Sequence, residues 1–183
     1  MFKPFVALML AATAVSAAAH PHAHPHAHPH AHTHGLMTLD VAVDAQTLTL
    51  AMSSPLDSFL GFERAPRTAA ERKRVADMVA RLQAADQLFQ PDAAAGCKLG
   101  KVDIASAALG LGKIQGHGEQ AEHADIDVAI VFTCAKAAQA RFIDVKLFDA
   151  YARLRSIDAQ VAAPQGQFKR SLRPGAARLG LTR

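Results

Sequence analysis

A run of eight histidines near the amino terminus is the feature that most constrains how this chain can fold. The run reads H-P-H-A-H-P-H-A-H-P-H-A-H-T-H, so every second residue is an imidazole and most of the others are proline or alanine. Alternating proline favours an extended, polyproline-like backbone. We therefore expect residues 20–35 to form a disordered tail outside the folded domain. The histidines of this tract are His20, His22, His24, His26, His28, His30, His32 and His34.

Metal binding is the chemistry that the tract favours, because imidazole is the commonest metal-binding side chain near neutral pH. Zinc takes a tetrahedral shell with Zn–N bonds of about 2.0–2.1 Å, so an extended chain must bend to bring imidazoles together. Many overlapping sets can serve, and eight histidines at about four per ion suggest a capacity of about two zinc ions. Imidazole also accepts Cu(II) and Ni(II). A purification artefact and a merely solubilising segment are the other interpretations of the tract.

The first nineteen residues are typical of a signal peptide. Lys3 supplies a positive charge, residues 5–15 form a short apolar core, and residues 17–19 are three alanines that offer a cleavage site. The apolar stretch is shorter than the ~20 residues that span a membrane. We therefore expect a soluble, exported protein that is not embedded in a membrane.

Export gives the two cysteines, Cys97 and Cys134, a specific meaning. An even number of cysteines in an oxidising compartment favours a disulfide, and these two are the only possible pair. Two buried free thiols remain an alternative. A site with both cysteines as metal ligands is less favoured, because neither has a close ligand at motif spacing.

The charge of the chain argues against nucleic acid as a partner. The sequence carries 20 Lys and Arg against 16 Asp and Glu, dispersed along its length. Tryptophan is absent, tyrosine occurs once, and no RNA- or DNA-binding motif is present. A nucleic-acid-binding protein normally concentrates basic residues on one surface and carries such a motif.

Alternating apolar residues predict a series of strands after the tail. Residues 39–43 and 48–52 are predicted to form a hairpin, and residues 97–104 a strand with a bulge near Gly100. The clearest strand covers residues 126–134 and places Cys134 on the core side. Further strands are predicted at residues 143–147, 157–163 and 167–172, with a last one ending near residue 181.

One helix is clearly indicated. Thr68 and Glu71 form a capping-box signature, and an apolar stripe follows on a helix that runs to about Ala85. One main helix among about seven or eight strands predicts an α+β fold with a mostly antiparallel, sandwich-like sheet. We assign residues 1–19 to the signal peptide, residues 20–35 to the tail, and residues 36–183 to a single domain with a polar loop near residues 110–123.

That polar loop is a second candidate metal site. His117 and His123 lie in it with Glu119 and Glu122, and Asp125 follows directly. Two histidines and several carboxylates within nine residues could hold one more ion or assist the tract. A solvated polar loop explains the same residues equally well.

No pattern in the chain indicates an enzyme. Ser-His-Asp or Cys-His catalysis needs a histidine held on a rigid element, and the sequence offers none. We interpret Asp57 and Glu63 as capping or loop-ordering groups and not as an acid/base pair. The sequence therefore predicts a protein that is not an enzyme.

Several segments together resemble one known family. After the signal peptide and the His-rich terminus come S-P-L-D-S-F-L-G-F-E-R-A-P-R-T, L-F-Q-P-D-A-A-A-G-C, H-A-D-I-D-V-A-I-V-F-T-C and a late Q-G-Q turn. In this order they resemble the ZrgA-like family of His-rich periplasmic proteins, which is linked to zinc uptake in Gram-negative bacteria. The resemblance covers nearly the whole mature chain. It implies zinc binding in the periplasm, alongside a zinc importer.

Two departures from the family limit what the resemblance implies. Members often carry a long insert rich in His and Asp before the H-A-D-I-D strand, where this chain has only residues 117–123. Members also commonly have histidine where this chain has Arg64, so no ligand role carries over to that position. The tract at the amino terminus is therefore expected to hold most of the metal capacity.

The leading interpretation is a periplasmic zinc-binding accessory protein. Its tail captures Zn(II) and supports zinc import, with a zinc ABC importer or its periplasmic binding protein as partner. One alternative is a periplasmic buffer or detoxification protein for copper or nickel. Another is a β-rich module that binds a ligand or a protein and carries an incidental tail.

Overall fold

The structure is a computed structural model that describes residues 34–112 and 124–182. The signal peptide, the tract up to His32, and both His117 and His123 lie outside the described residues. The proposed domain boundaries therefore stay predictions. Within the two described ranges, no helix has the length and apolar character needed to cross a membrane.

The described residues form nine strands and four α-helices, with three single turns of 3-10 helix in the connections. The strands are β1 (Leu36–Asp44), β2 (Thr47–Pro55), β3 (Phe89–Pro91), β4 (Cys97–Ala105), β5 (Asp125–Cys134), β6 (Phe142–Val145), β7 (Ser156–Ala163), β8 (Gly166–Leu172) and β9 (Arg178–Gly180). The helices are α1 (Asp57–Leu60), α2 (Ala69–Gln83), α3 (Ala85–Leu88) and α4 (Leu147–Ala150). This β-rich α+β fold confirms the predicted class.

The strands form two sheets. The larger has six strands in the order β4-β5-β2-β1-β7-β8, and the smaller has three in the order β3-β6-β9. Every pair is antiparallel except β1 with β7, which run parallel. The first strand of the domain therefore lies inside the large sheet, between a hairpin partner and a strand that follows much later in the chain.

Alternation of apolar and polar residues decides which face of the large sheet is buried. In β1, Met37, Leu39 and Val41 are almost fully buried, whereas the residues between them are exposed. The period of two places these side chains on one face of the pleated strand. Residues from both sheets and from α2 contribute to a single hydrophobic core. The predicted hairpin of β1 and β2 is confirmed, with its register running from Thr38 opposite Ser53 to Asp44 opposite Thr47.

The main helix begins as its capping signature predicts. The Thr68 hydroxyl accepts a hydrogen bond from the Glu71 amide, and the Glu71 carboxylate accepts one from the Thr68 amide. Met78 and Leu82 then bury the apolar stripe against the core. The helix ends at Gln83, slightly before the expected position, and a separate turn of helix, α3, follows it.

The disulfide and the predicted bulge are both present in the β4–β5 pair. Cys97 lies directly opposite Cys134 and is bonded to it, so free thiols are excluded. The register shifts between Leu99 and Lys101, at Gly100. A Cβ atom at Gly100 would lie 3.0 Å from the carbonyl oxygen of Val131, which explains why glycine occupies the bulge.

Candidate metal site

The last histidine of the tract, His34, lies where the chain joins β1, and its neighbour Gly35 is firmly anchored there. The Gly35 amide donates to the Ser58 hydroxyl at 3.2 Å, and the Gly35 carbonyl accepts from the amides of Arg155 and Ser156 at 2.7 and 3.0 Å. Gly35 has φ +80°, a conformation that glycine adopts without steric cost. These bonds fix the point at which the tract leaves the domain.

The imidazole of His34 lies between two carboxylates. Its Nδ1 is 3.5 Å from Asp57 Oδ2, and its Nε2 is 3.6 Å from Glu63 Oε1. Both distances exceed the ~2.7–2.9 Å of a charge-assisted hydrogen bond. The His34 side chain is 61% exposed, against 18% for Asp57 and 34% for Glu63. The three groups therefore form a cluster that is open to solvent on the imidazole side.

A single turn of helix, α1, presents Asp57 to this cluster. Leu56 and Leu60 are buried on either side of the turn. Gly61 ends it with φ +80°, and its amide donates a hydrogen bond to the Asp57 carbonyl at 3.0 Å. A glycine in this conformation is a common helix terminus. Asp57 lies in the first helical turn but makes no capping hydrogen bond. Its carboxylate instead lies next to His34 and Arg153, which fits the loop-ordering alternative of the interpretation and not the capping one.

Asp57 also has a cationic neighbour, Arg153. Its Oδ1 lies 3.6 Å from Arg153 Nη1, and the Arg153 guanidinium packs so closely on Gly61 that a Cβ atom there would lie 3.1–3.2 Å from it. Among the described residues, the ion pair of Glu63 is the one with His34. The two carboxylates therefore differ: Asp57 is more buried and partly neutralised by arginine, whereas Glu63 is more exposed.

The neighbouring Arg64 is committed to a different carboxylate. Its Nη1 and Nη2 donate to both oxygens of Glu71 at 3.0 and 2.9 Å, and its guanidinium lies 5.0 Å from the centre of the Phe62 ring. The hydrogen bond from Arg64, followed by that from the Arg67 amide, lowers the pKa of Glu71 to about 2. This pair ties the loop after Glu63 to the start of α2 and keeps Arg64 away from the cluster.

No complete metal centre is found within residues 34–112 and 124–182, where no three His, Cys, Asp or Glu side chains are arranged to hold an ion. The two carboxylates face different nitrogens of His34, so the cluster offers two separate nitrogen–oxygen pairs. Each pair could supply only part of a zinc shell, which has four ligands.

The second histidine-containing segment rejoins the described chain next to this cluster. Ala124 is the first described residue after residues 113–123, and its carbonyl accepts a hydrogen bond from the Leu56 amide at 2.8 Å. Leu56 directly precedes Asp57, and Pro55 pairs with Asp125. The described ends of both histidine-containing segments, His34 and Ala124, therefore flank the stretch that carries α1.

A sequence profile of the ZrgA family zinc uptake proteins matches residues 31–181. The chain belongs to this family. No curated protein matches the sequence. Because the match begins at residue 31, it includes His34, Asp57 and Glu63, whereas the tract before residue 31 lies outside it. Membership of the ZrgA family of zinc uptake proteins supports a role in zinc uptake, and it bears out the family that the sequence motifs indicated.

Sequence reasoning missed the contact between His34 and the two carboxylates. The predicted β1–β2 hairpin is the feature of the sequence that could have indicated this contact. Continuing the register of Thr38 opposite Ser53 by four residues brings His34 opposite Asp57. The ZrgA motif S-P-L-D-S-F-L-G-F-E then supplies Glu63 shortly afterwards.

Proposed function

We propose that this ZrgA family protein is a periplasmic accessory protein that captures Zn(II) through its histidine tract and supports zinc import. The observation that carries the proposal is a tract of alternating histidines whose last member, His34, is held between Asp57 and Glu63. Membership of a zinc uptake family supports zinc as the cargo.

The tract, His20 to His34, is the proposed site of capture. Its imidazoles bind metal only when neutral, and neither an extended nor a polyproline-like backbone would cluster them around one ion in advance. The chain must therefore order itself around each ion, at a cost in conformational entropy. Such a site takes up and releases ions more readily than a rigid one, which suits a protein that passes zinc on.

His117 and His123 are proposed as a supplementary pair. The segment that contains them is followed by Ala124, whose carbonyl accepts a hydrogen bond from the Leu56 amide. Their carboxylate neighbours Glu119 and Glu122 provide oxygen ligands that zinc accepts. We place them second to the tract because only two imidazoles are present in this segment.

The proposed location is the periplasm, reached through the signal peptide of residues 1–19. The disulfide between Cys97 and Cys134 supports an oxidising compartment. The proposed organisation is a tail of residues 20–35 followed by one domain of residues 36–183. The domain presents the captured zinc to a zinc ABC importer or to its periplasmic binding protein, and no residue is assigned a catalytic role.

Calorimetric zinc titration tests capture by the tract. The variant carries asparagine at every tract histidine before His34, which keeps the length and the proline spacing. We expect it to lose most of the zinc capacity of the parent chain. The double variant His117→Asn/His123→Asn is the matched control and should keep most of that capacity. Equal capacity in the tract variant and the parent would contradict the proposal.

Growth experiments separate import from buffering. A strain without the gene should grow poorly when a chelator withdraws zinc, and the parent gene should restore growth whereas the tract variant should not. Sensitivity only to excess copper or nickel would instead support a buffer or detoxification protein. Full rescue by the tract variant would favour a ligand- or protein-binding module with an incidental tail.

A further inference from the structure

The separation of His34 and Glu63 suits two ligands of one zinc ion. Zinc bonds of about 2.0–2.1 Å at a tetrahedral angle place adjacent ligand atoms about 3.3 Å apart. His34 Nε2 and Glu63 Oε1 are 3.6 Å apart, which is too long for a strong hydrogen bond and close to the spacing that zinc imposes. The imidazole is mostly exposed, so an ion has access to this pair.

Asp57 is placed to orient the imidazole and not to bind the ion. A neutral imidazole carries one N–H and one lone pair, and a metal-binding histidine usually donates its other N–H to a carboxylate. Asp57 faces Nδ1 at 3.5 Å, is the more buried carboxylate, and has Arg153 beside its other oxygen. An N–H on Nδ1 directed at Asp57 leaves the Nε2 lone pair facing Glu63.

The surroundings leave Glu63 available for the ion. The adjacent guanidinium of Arg64 is held by both oxygens of Glu71, and Arg153 is near Asp57. The two guanidinium groups near the cluster, those of Arg64 and Arg153, are therefore paired with Glu71 and Asp57 and not with Glu63. Glu63 also follows Phe62, whose ring lies under Arg64 and Arg74 at 5.0 and 5.5 Å, so the backbone that carries it is held in place.

We propose that His34 Nε2 and Glu63 Oε1 are ligands of a zinc site on the folded domain, with Asp57 as the residue that positions His34. This inference rests on the proposed function and adds the place on the domain to which captured zinc passes. Water completes the shell, as it does at zinc sites that keep an open position. A site with two protein ligands holds zinc weakly and exchanges it readily, so it suits transfer to a partner that offers more ligands.

The test uses the full chain with His34 as its sole histidine. All other tract histidines, together with His117 and His123, are changed to asparagine. Titration with zinc, and with Co(II) followed by its visible spectrum, measures the affinity and the stoichiometry. We expect one ion per chain. The further change His34→Asn should abolish binding, and Glu63→Gln should weaken it at least tenfold.

Asp57 and a control residue complete the design. Asp57→Asn should weaken binding by roughly 10–100-fold, as loss of an orienting carboxylate typically does. It should also move the single imidazole from the Nδ1–H tautomer towards the Nε2–H tautomer, which ¹⁵N NMR reports without metal. Asp86→Asn, an exposed carboxylate on α3, should leave affinity and tautomer unchanged. Far-ultraviolet circular dichroism confirms that every variant is folded.

The outcomes separate this site from the tract. If the sole-histidine chain binds no zinc while the parent chain does, or if Glu63→Gln binds as tightly as Asp86→Asn, the domain site is overturned and capture by the tract stands. If the sole-histidine chain matches the zinc capacity of the parent, capture by the tract fails and the domain site stands. An unchanged tautomer in Asp57→Asn overturns the positioning role.

Discussion

His34 meets Asp57 just beyond the open end of the β1–β2 hairpin, where the tract joins β1 and α1 follows β2. Thr38 faces Ser53 within the hairpin, and four residues further out the imidazole of His34 is 3.5 Å from the Asp57 carboxylate. The short connection at residues 45–46 thus brings the end of the histidine tract to the start of α1.

Gly35→Ala should displace His34 and destabilise the domain. An alanine at φ +80° costs about 1–2 kcal/mol, and its Cβ atom would also lie 2.9 Å from the Arg153 carbonyl oxygen. Gly175→Ala is the matched control, since Gly175 has φ +82° and nothing within 4 Å of such a Cβ atom. Urea unfolding should show a larger loss for Gly35→Ala. Equal losses would mean that the anchor at Gly35 is not rigid.

Replacing the disulfide with alanines, Cys97→Ala/Cys134→Ala, should lower the free energy of unfolding by about 2–4 kcal/mol. The bond closes a segment with a sequence separation of 37, so it restricts the unfolded chain considerably. The parent protein in reductant should lose a similar amount, measured by thermal unfolding. Zinc stoichiometry should not change, because the bond lies at the end of β5 remote from Ala124.

Glu71→Gln should change the acid stability of the protein. Arg64 and the Arg67 amide hold the pKa of Glu71 at about 2, below its ordinary value of 4.5. A lowered pKa contributes stability that is fully present above pH 4.5 and is lost as the pH falls towards 2. The variant should be less stable than the parent at neutral pH, with the difference shrinking through this window. A constant difference between pH 5 and pH 2 would argue against the Arg64–Glu71 pair as its source.

Leu50→Ala should destabilise the domain by about 2–5 kcal/mol. Leu50 is fully buried at the centre of β2, and truncating it leaves a cavity that the neighbouring strands cannot fill. Ala51→Ser, on the exposed face of the same strand, should change stability by no more than about 0.5 kcal/mol. Chemical denaturation of both variants measures the contrast. A small loss for Leu50→Ala would show that the large sheet packs loosely.

Zinc uptake by the parent chain should weaken as the medium becomes acidic. The imidazoles of the tract bind only when neutral, and the reference pKa of histidine is about 6.5. Below that value, each proton displaced by zinc should lower the apparent affinity about tenfold per pH unit. Calorimetry from pH 5 to pH 8 measures the slope. A flat profile would indicate that carboxylates, and not imidazoles, hold the ion.

Local patterns accounted for much of the fold. The period of two predicted β1, β2 and β5, and the Thr68–Glu71 signature predicted the start of α2, because each depends on neighbouring residues. Leu147 was wrongly placed in a strand: it continues the alternation of Ile143 and Val145, yet it opens α4. The short strand β3 was also missed, since Pro91 suggests a break and only three residues pair there.

The candidate site was harder to predict, because it depends on contacts between distant residues. The parallel pairing of β1 with β7 leaves no local signal, yet it brings Arg155 and Ser156 onto the Gly35 carbonyl. The sequence shows Asp57 and Glu63 as acidic residues in a segment whose apolar residues follow neither the helical nor the strand spacing. Counting back from the hairpin turn brings Asp57 near His34, whereas the approach of Glu63 depends on the single turn of α1 and becomes apparent only in three dimensions.

The central position of β1 also affects how the protein is made. Asp40 in β1 contacts Gln160 in β7 across a sequence separation of 120, so the large sheet cannot close until most of the chain has been synthesised. During that interval β1 is paired only with its hairpin partner β2, and its apolar face lacks the later core residues that cover it. A chain of this design completes its large sheet only after its final third has been synthesised.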